Sequence, residues 1–175
     1  MQNITTTAYI GLGSDLGDRA GNLMLAVRGL IEASLNVTKL SSIYETEAVD
    51  MVGAPLFLNM VAEVKTDIIT PTQLMARMLR IEYLLGRKDK SQNQPRTIDL
   101  DLLFYGDEKL STPFLTLPHP RLHERNFVLV PLNEIAPQLV HPVLHKTIGD
   151  LCEVSPDKSG ITRWNPIDLN GHPAN

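Results

Sequence analysis

The chain has 175 residues, which is the length of about one domain. Its 16 Lys and Arg residues against 20 Asp and Glu residues give a net charge of −4, which argues against nucleic acid as the main partner. The single cysteine, Cys152, excludes an intrachain disulfide and cysteine-rich zinc sites, and no apolar run approaches the roughly 18 residues that cross a bilayer. The first residues lack the basic and apolar regions of a signal peptide, so we expect a cytoplasmic protein with no membrane partner.

The main elements are predicted in the order strand, helix, strand, strand, helix, strand. The predicted strands are Ala8–Leu12, Val37–Thr46, Leu56–Val64 and Thr97–Phe104. Helices are predicted from Asp18 to about Leu35 and from Thr70 to Gly86, with short helical pieces around Arg125–Ile135. Strands and helices do not alternate throughout, so this order favours an α+β fold with helices packed on an antiparallel sheet. We expect a single domain over residues 1–154 and an irregular tail, rich in Pro, Gly, Asn and Asp, over residues 155–175.

Two segments carry signals for helix ends. Thr70 is a good N-cap residue, Pro71 suits the first helical position, and Gln73 completes a capping box. Gly86 is placed to end that helix in the left-handed conformation. The glycines within Gly11–Gly17 fit the spacing of a dinucleotide-binding loop only in part, so we interpret them as a strand-to-helix turn before Asp18.

The most informative feature is the pair Asp99 and Asp101. These residues lie two apart on a predicted strand, so their side chains point from the same face, while Ile98, Leu100 and Leu102 point towards the core. Aspartate is rare in strands, and two like charges on one face repel unless a cation lies between them. The pair is either the wet outer face of a half-buried strand or a pair of carboxylates that binds a divalent metal such as magnesium.

Positive charge lies next to this strand. The cationic residues are Arg80, Arg87, Lys88, Lys90 and Arg96. Lys88 and Lys90 are equally compatible with a solvated loop, whereas Pro95 fixes the backbone before Arg96 at the start of the acidic strand. A guanidinium in a fixed position suits phosphate oxygens, and acids beside bases with metal between them are typical of phosphoryl transfer.

Two further segments are compatible with a ligand site. His119, between two prolines, and Arg125 can donate to phosphate, although a single loop histidine is more often structural. Phe57 and Asn59 share a strand face, where a flat heteroaromatic ligand can stack on the ring and pair with the amide, but an ordinary core Phe explains the pattern equally well. The other histidines have no spacing that indicates zinc: His141, His145 and His172.

In chain order, these motifs closely resemble one family, 6-hydroxymethyl-7,8-dihydropterin pyrophosphokinase. The matching motifs are Tyr9–Ser14, Tyr44–Thr46, Phe57–Asn59, Arg80–Glu82, Gly86–Arg87, Pro95–Asp101, Pro118–His119 and Arg125–Phe127. The similarity runs from about Ala8 to Leu151, and the Pro95–Asp101 run is highly specific. The resemblance implies a ferredoxin-like α+β fold and a single pyrophosphokinase domain. It also implies transfer of the β,γ-pyrophosphoryl group of ATP to hydroxymethyl-dihydropterin, with release of AMP, in folate biosynthesis.

The resemblance also assigns roles to residues. It implies that Asp99 and Asp101 hold two magnesium ions and that Arg96 takes part in catalysis with them. The implied ATP-site residues are Glu82, Arg87, Arg96, Leu102, Thr116, His119 and Arg125. The implied pterin-site residues are Phe57 and Phe127 on the two faces of the ring, and Asn59 with the Thr46–Ala48 backbone at its edge. Residues 47–55 and 87–94 are implied to be loops that close over the substrates.

Some positions depart from the family pattern. Many members carry a tryptophan and further arginines before the Pro95–Arg96 element, where this chain has Lys90–Gln94, and Leu79 stands where a glutamine is often seen. ATP and the pterin are the expected small-molecule partners, nucleic acid is not expected, and the expected state is a monomer. The alternatives are a degenerate family member that turns over poorly, and a non-catalytic ferredoxin-like module that binds RNA. Such a module exposes aromatic residues on its sheet, whereas aromatics are 5% of this chain and the strand face carries aspartates.

Overall fold

The computed structural model describes residues 4–47, 56–86 and 97–166. Its strands are β1 (Thr5–Ser14), β2 (Asn36–Leu40), β3 (Tyr44–Thr46), β4 (Phe57–Asp67), β5 (Asp99–Tyr105), β6 (Leu110–Ser111), β7 (Thr116–Leu117) and β8 (Ile161–Arg163). Its helices are α1 (Arg19–Glu32), α2 (Pro71–Leu84), α3 (Asn126–Ile135) and α4 (Ile148–Glu153), with a 3₁₀ turn at Leu122–Glu124. None of these helices, within the described ranges, has the length and apolar character that a bilayer crossing requires.

Six of the strands form one antiparallel sheet. Its order is β5-β1-β4-β3-β8, and β2 pairs with the far end of β4. Strands β6 and β7 form a separate hairpin. The α+β expectation of an antiparallel sheet with helices packed on it is therefore confirmed.

Helices pack against both faces of the sheet. On one face, α1 and α2 bury their apolar stripes against residues such as Ile10, Leu12 and Leu100 in the larger core cluster. On the other face, α3 and α4 cover a second cluster that includes Tyr9, Val61 and Phe104. The polar residues described below lie on this same face, outside the second cluster.

The predicted helix signals are confirmed. The Oγ1 of Thr70 accepts from the N–H of Gln73, whose side chain accepts from the N–H of Thr70. Gly86 has φ of 98°, the left-handed conformation predicted for it. Asp18 is the N-cap residue of α1, and its carboxylate accepts from the N–H of Gly21.

Three sequence predictions were wrong in part. β1 extends to Ser14, so Gly13 belongs to a strand, and Gly17, with φ of 69°, provides the turn. Val37–Thr46 is two strands rather than one, because Ser41 interrupts the pairing and its Oγ accepts from the N–H of Val61. The region after Ser155 is not wholly irregular, because β8 pairs with β3.

Strand β5 changes its environment along its length. Asp99 and Asp101 are half-buried, whereas Ile98, Leu100 and Leu102 are buried in the larger core. The register with β1 then shifts, a β-bulge that places Leu103 and Phe104 together in the second cluster. The two acids therefore lie just beyond the part of the face that α3 and α4 cover.

Candidate active site

Polar residues from neighbouring strands lie in one row across the sheet. Gly13 on β1 is paired on one side with Asp99 of β5 and on the other with Asn59 of β4. Asn59 is paired in turn with Tyr44 of β3. Directly opposed residues of antiparallel strands share a face, so the carboxylate and the amide project from the same side with a glycine between them. Asp101 is paired with Gly11 in the next row, which confirms that the two acids share a face.

The two glycines form a strip of β1 without side chains. A Cβ added at Gly13 would lie 2.8 Å from Oδ1 of Asn59, so only glycine leaves room for the amide in this position. A Cβ at Gly11 would make ordinary contacts of 3.6 Å or more with Leu103. We call this strip of β1, between the acidic pair and Asn59, the groove; the Asn59 amide lies over Gly13, which is buried.

The side chain of Asn59 is held in place from β3. Its Nδ2 donates to Oγ1 of Thr46 over 3.1 Å, and both residues are buried. This bond fixes the amide orientation and leaves Oδ1 on the side of Gly13. Phe57, half-buried and paired with Thr46, lies on the same face two residues before Asn59.

The N-terminus of α3 faces the acidic pair. Cζ of Arg125 lies 5.5 Å from the ring centroid of Phe127, a cation–π contact. Burial and the neighbouring Arg121 lower the pKa of Arg125, while the charges of Asp101 and Asp99 act in the opposite direction. Arg125 therefore lies close enough to both acids for an electrostatic interaction with them. Phe127 packs against the second core cluster on the same side of the sheet.

Glu82 of α2 reaches β5 from the opposite face. Glu82 is 2% exposed, and its Oε1 accepts from the N–H of Leu100 over 2.7 Å. Leu100 stands between Asp99 and Asp101, so this bond fixes the backbone between the two acids.

His119 and Thr116 line a cavity of about 380 Å³ beyond β5. The backbone N–H of His119 donates to the carbonyl of Leu103 over 2.9 Å, which attaches the loop to β5. Its Nδ1 accepts from the N–H of Arg121 over 3.3 Å, which places the proton of the neutral ring on Nε2. His119 thus presents a donor at the ring nitrogen remote from its own loop.

Other predicted site residues lie apart. Leu102 is 2% exposed in the larger core, and its side chain lies on the face opposite to the acids. Strand alternation explains this placement, because Leu102 is two residues from buried Leu100. Three predicted residues lie outside the described residues: Ala48, Arg87 and Arg96. The same holds for most of the two predicted closing loops.

Several residues near the site were not singled out from the sequence. His123 and His141 line the same cavity as His119, with their rings packed edge to face at 6.2 Å. The carboxylate of Glu134 on α3 accepts from the Ser42 N–H and hydroxyl and from the Tyr44 hydroxyl at 2.7 Å, which joins α3 to β3. No local signal reveals the contacts of Glu134, because their partners lie about ninety residues away in the chain.

The donor chemistry of the acidic pair fits magnesium. The two carboxylates lie two residues apart on one face of β5, next to a strip of β1 without side chains. No group of three or more His, Cys, Asp or Glu side chains that could hold a metal occurs within the described ranges. Magnesium needs no such group, because one or two carboxylates, water and substrate phosphates complete its coordination.

Comparison with known proteins identifies relatives of this chain. Residues 9–137 match the family model described as 7,8-dihydro-6-hydroxymethylpterin-pyrophosphokinase. A Bacillus subtilis protein named 2-amino-4-hydroxy-6-hydroxymethyldihydropteridine pyrophosphokinase is 46% identical over 165 residues, 94% of this chain and 92% of the relative. An Aquifex aeolicus protein of the same name is 39% identical over 144 residues, 82% of this chain and 89% of the relative.

The fold also has solved counterparts. The crystal structure of wild-type Plasmodium falciparum HPPK-DHPS with pteroate matches with a TM-score of 0.68 at 18% identity, over 87% of this chain and 45% of that chain. The chain thus spans about half the length of that solved protein, and the likeness concerns the fold. On the strength of the family model and these relatives, the chain belongs to the 7,8-dihydro-6-hydroxymethylpterin-pyrophosphokinase family.

Proposed function

We propose that this protein transfers the β,γ-pyrophosphoryl group of ATP to the hydroxymethyl oxygen of 6-hydroxymethyl-7,8-dihydropterin and releases AMP, a step of folate biosynthesis. Family membership and relatives named for this activity support the proposal. The observation that carries it is the row Asp99–Gly13–Asn59. That row sets carboxylates suited to a magnesium–phosphate group beside an amide suited to the edge of a heterocycle.

The reaction is a displacement at phosphorus. The hydroxymethyl oxygen forms a bond to the β-phosphorus of ATP, the bond from that phosphorus to the α,β-bridging oxygen breaks, and AMP leaves with the oxygen. The hydroxyl proton is released. In such reactions the protein acts mainly by positioning the reactants and by neutralising phosphate charge.

The acidic pair supplies the metal site in this proposal. Asp99 and Asp101 would hold two magnesium ions, which when bound neutralise charge on the transferred phosphates. Glu82 keeps the backbone between the two carboxylates in place through Leu100. The carboxylates must stay ionised for this role, a state that metal charge favours.

Cationic and donor groups on the α3 side bind the nucleotide. Arg125, stacked on Phe127 near the acids, and Nε2–H of His119 are suited to phosphate oxygens. Thr116 lies in the same cavity as His119, where the adenosine part of ATP would extend. Arg87 and Arg96 are proposed as further phosphate ligands and lie outside the described residues.

The pterin occupies the groove beside Gly13. Asn59, held by Thr46, offers Oδ1 to the donor groups of the pyrimidine edge. Phe57 and Phe127 come from β4 and α3 on the same side of the sheet and would enclose the ring. Backbone groups from Thr46 to Ala48 complete the edge in this proposal.

We also infer that the fold is ferredoxin-like. The order β5-β1-β4 followed by β2 and β3, all antiparallel and with α1 and α2 on one face, supports this inference. A monomeric state and a cytoplasmic location stay predictions.

Product analysis tests the proposed activity. The purified chain with ATP, magnesium and hydroxymethyl-dihydropterin is expected to form AMP and the pterin pyrophosphate in equal amounts, and removal of magnesium with EDTA is expected to stop the reaction. ADP as the product, or AMP formed without pterin, would refute the proposal.

Binding measurements separate the alternatives. A degenerate family member would bind 6-hydroxymethylpterin in calorimetry yet bind ATP weakly and turn over slowly. An RNA-binding module would bind RNA with a steep dependence on salt concentration and would show no affinity for ATP.

A further inference from the structure

The C-terminal part of the described chain contacts both walls of the groove. We call residues 157–164 the C-terminal clamp; they lie beyond residues 9–137, which match the family model. At one end Asp157 contacts the first residue of α3, the helix that follows Arg125 and carries Phe127. At the other end β8 pairs with β3, the strand that carries Thr46.

Asp157 caps α3 from outside the helix. Within the described chain, the N-cap residue Arg125 makes no side-chain capping bond to the helix. Instead the N–H of Asn126 donates to Oδ2 of Asp157 over 2.8 Å, and Nδ2 of Asn126 donates to the Asp157 carbonyl over 3.1 Å. A carboxylate at a helix N-terminus satisfies an N–H group that has no intrahelical partner and interacts favourably with the helix dipole. Asn126 lies between Arg125 and Phe127 in the chain, so these bonds fix the backbone that sets the direction of both side chains.

Asp157 is itself held in one orientation. Its Oδ1 accepts from the N–H of Ser159 over 2.8 Å and from the Ser159 hydroxyl over 2.6 Å. Burial acts to raise the pKa of Asp157, but the hydrogen bonds from Ser159 and Asn126 outweigh it and lower the pKa below its ordinary value. The carboxylate therefore stays charged at neutral pH, as an acceptor of three hydrogen bonds must.

The β8 end of the clamp is anchored independently. Ile161 pairs with Thr46 and Arg163 with Tyr44, and the N–H of Glu47 donates to the Gly160 carbonyl over 3.3 Å. The N–H of Trp164 donates to the Ile43 carbonyl over 2.9 Å, and its ring packs against the larger core. The clamp therefore connects α3 to a strand that is fixed in the sheet.

We propose that Asp157 is a positioning residue for the pterin site, which sets the direction of Phe127 and Arg125 by tying the start of α3 to the clamp. This inference rests on the proposed function, because it concerns how the same groove holds the pterin. Groups that enclose a ligand must be held to within about an ångström, so a loosened helix start weakens ligand binding although no ligand contact is removed.

The test compares the affinity of 6-hydroxymethylpterin, measured by calorimetry with magnesium and a non-hydrolysable ATP analogue, in four full-length proteins. Asp157→Ala is expected to weaken pterin binding about tenfold, because the side chains of Phe127 and Arg125 are no longer held in one direction. Asp157→Asn keeps an oxygen that can accept from the Asn126 N–H but turns an NH2 group towards the Ser159 N–H, so it is expected to restore only part of the affinity that Asp157→Ala loses. Lys158→Ala is the matched control, because Lys158 is exposed and shows no hydrogen bond or ion pair within the described residues; it is expected to bind as wild type does.

Trp164, the single tryptophan of the chain, reports the state of the clamp. Its emission maximum is expected to be the same in wild type and Asp157→Ala, which shows that β8 stays docked while the contact to α3 is lost. A shift of emission in Asp157→Ala, or equal losses of affinity in Asp157→Ala and Lys158→Ala, would mean general loosening and would overturn the proposal. Unchanged pterin affinity in Asp157→Ala would overturn it as well.

A second variant carries the test if Asp157→Ala does not fold. Asn126→Ala removes the hydrogen bond from Nδ2 of Asn126 to the Asp157 carbonyl. It also removes Oδ1 of Asn126, a buried atom without a hydrogen-bond partner among the described residues, so the variant is expected to fold. Its pterin affinity is expected to fall about threefold, and wild-type affinity would overturn the proposal. If the wild-type chain forms AMP and the variants bind the pterin as tightly as wild type, only this inference is wrong. If the wild-type chain neither binds the pterin nor forms AMP, both the proposed function and this inference are wrong.

Discussion

The carboxylate of Glu82 accepts a 2.7 Å hydrogen bond from the backbone N–H of Leu100, the residue between the two acids of the candidate metal site. Glu82 is 2% exposed and lies on the core side of β5, so this bond reaches the acids through the strand. This bond explains how a helix on one face of the sheet fixes carboxylates on the other. It also makes Glu82 a sensitive position for both stability and turnover.

Glu82→Ala is expected to lower the free energy of unfolding by about 2 kcal/mol, because a buried N–H loses its acceptor. Turnover is expected to fall at least about tenfold, since the acids lose their fixed spacing. Urea unfolding and the rate of AMP release measure the two effects. Glu82→Gln keeps an oxygen acceptor and is expected to lose less of both; wild-type turnover in Glu82→Ala would show that the bond does not position the acids.

Asp99→Ala is expected to abolish measurable AMP formation while the fold survives. The side chain is half-buried on the open part of its face and contributes nothing to either apolar cluster. Far-UV circular dichroism and AMP release are the measurements. Asp107→Ala, which removes an exposed acid just past the opposite end of β5, is the matched control and is expected to retain full activity; unfolding of Asp99→Ala would contradict the assignment.

Asn59→Ala is expected to weaken pterin binding about tenfold and ATP binding little, because the amide faces the groove beside Gly13 and not the nucleotide cavity. Calorimetric titration with each ligand separates the two affinities. Asn36→Ala, an exposed amide at the start of β2, should change neither. Equal losses for pterin and ATP would argue against an edge-binding role for Asn59.

Gly13→Ala and Gly11→Ala form a pair of substitutions on one strand and one face. The Cβ at residue 13 would meet Oδ1 of Asn59 at 2.8 Å and must displace a buried amide that is tied to Thr46, whereas the Cβ at residue 11 meets Leu103 at an ordinary 3.6 Å. The KM for the pterin is therefore expected to rise about tenfold in Gly13→Ala, with a smaller change in Gly11→Ala. A larger pterin effect at Gly11 would show that Asn59 is not the group that matters.

His141 is expected to make the free energy of unfolding depend on pH. Burial, then the nearby His123 and His145, lower the pKa of this ring, and its Nδ1 accepts from the N–H groups of Val143 and Leu144. The unfolded chain therefore binds a proton at higher pH than the folded chain does, so the free energy of unfolding falls as pH decreases below the ordinary histidine value of about 6.5, until the lowered pKa is passed.

His141→Asn tests this expectation, because an amide oxygen can accept the same N–H groups and does not titrate. The variant is expected to be less stable than wild type at pH 8, since the ring no longer packs against Phe104 at 5.7 Å. Its stability is expected to change less between pH 8 and about pH 5 in urea unfolding. Parallel pH curves for the two proteins would assign the dependence to other groups.

The chain sequence by itself predicted the features that depend on neighbouring residues. The capping box at Thr70, the left-handed Gly86 and the shared face of Asp99 and Asp101 follow from local backbone geometry, so a pattern of a few residues determines them. The motifs taken together in chain order, above all the Pro95–Asp101 run, also indicated the family, which the family match over residues 9–137 confirms.

Only the tertiary structure decided which distant residues meet. The sequence predicted Gly13 to lie in a turn. In the structure Gly13 is part of β1, because it pairs with Asp99 on one side and Asn59 on the other, and no neighbouring residue indicates this pairing. Asp157 lay in a tail predicted to be irregular, because its partner Asn126 is 31 residues away and a capping bond made across that separation leaves no local pattern. Pairing between strands and capping from outside a helix depend on how the chain packs, and packing is decided by the burial of whole faces rather than by any single segment.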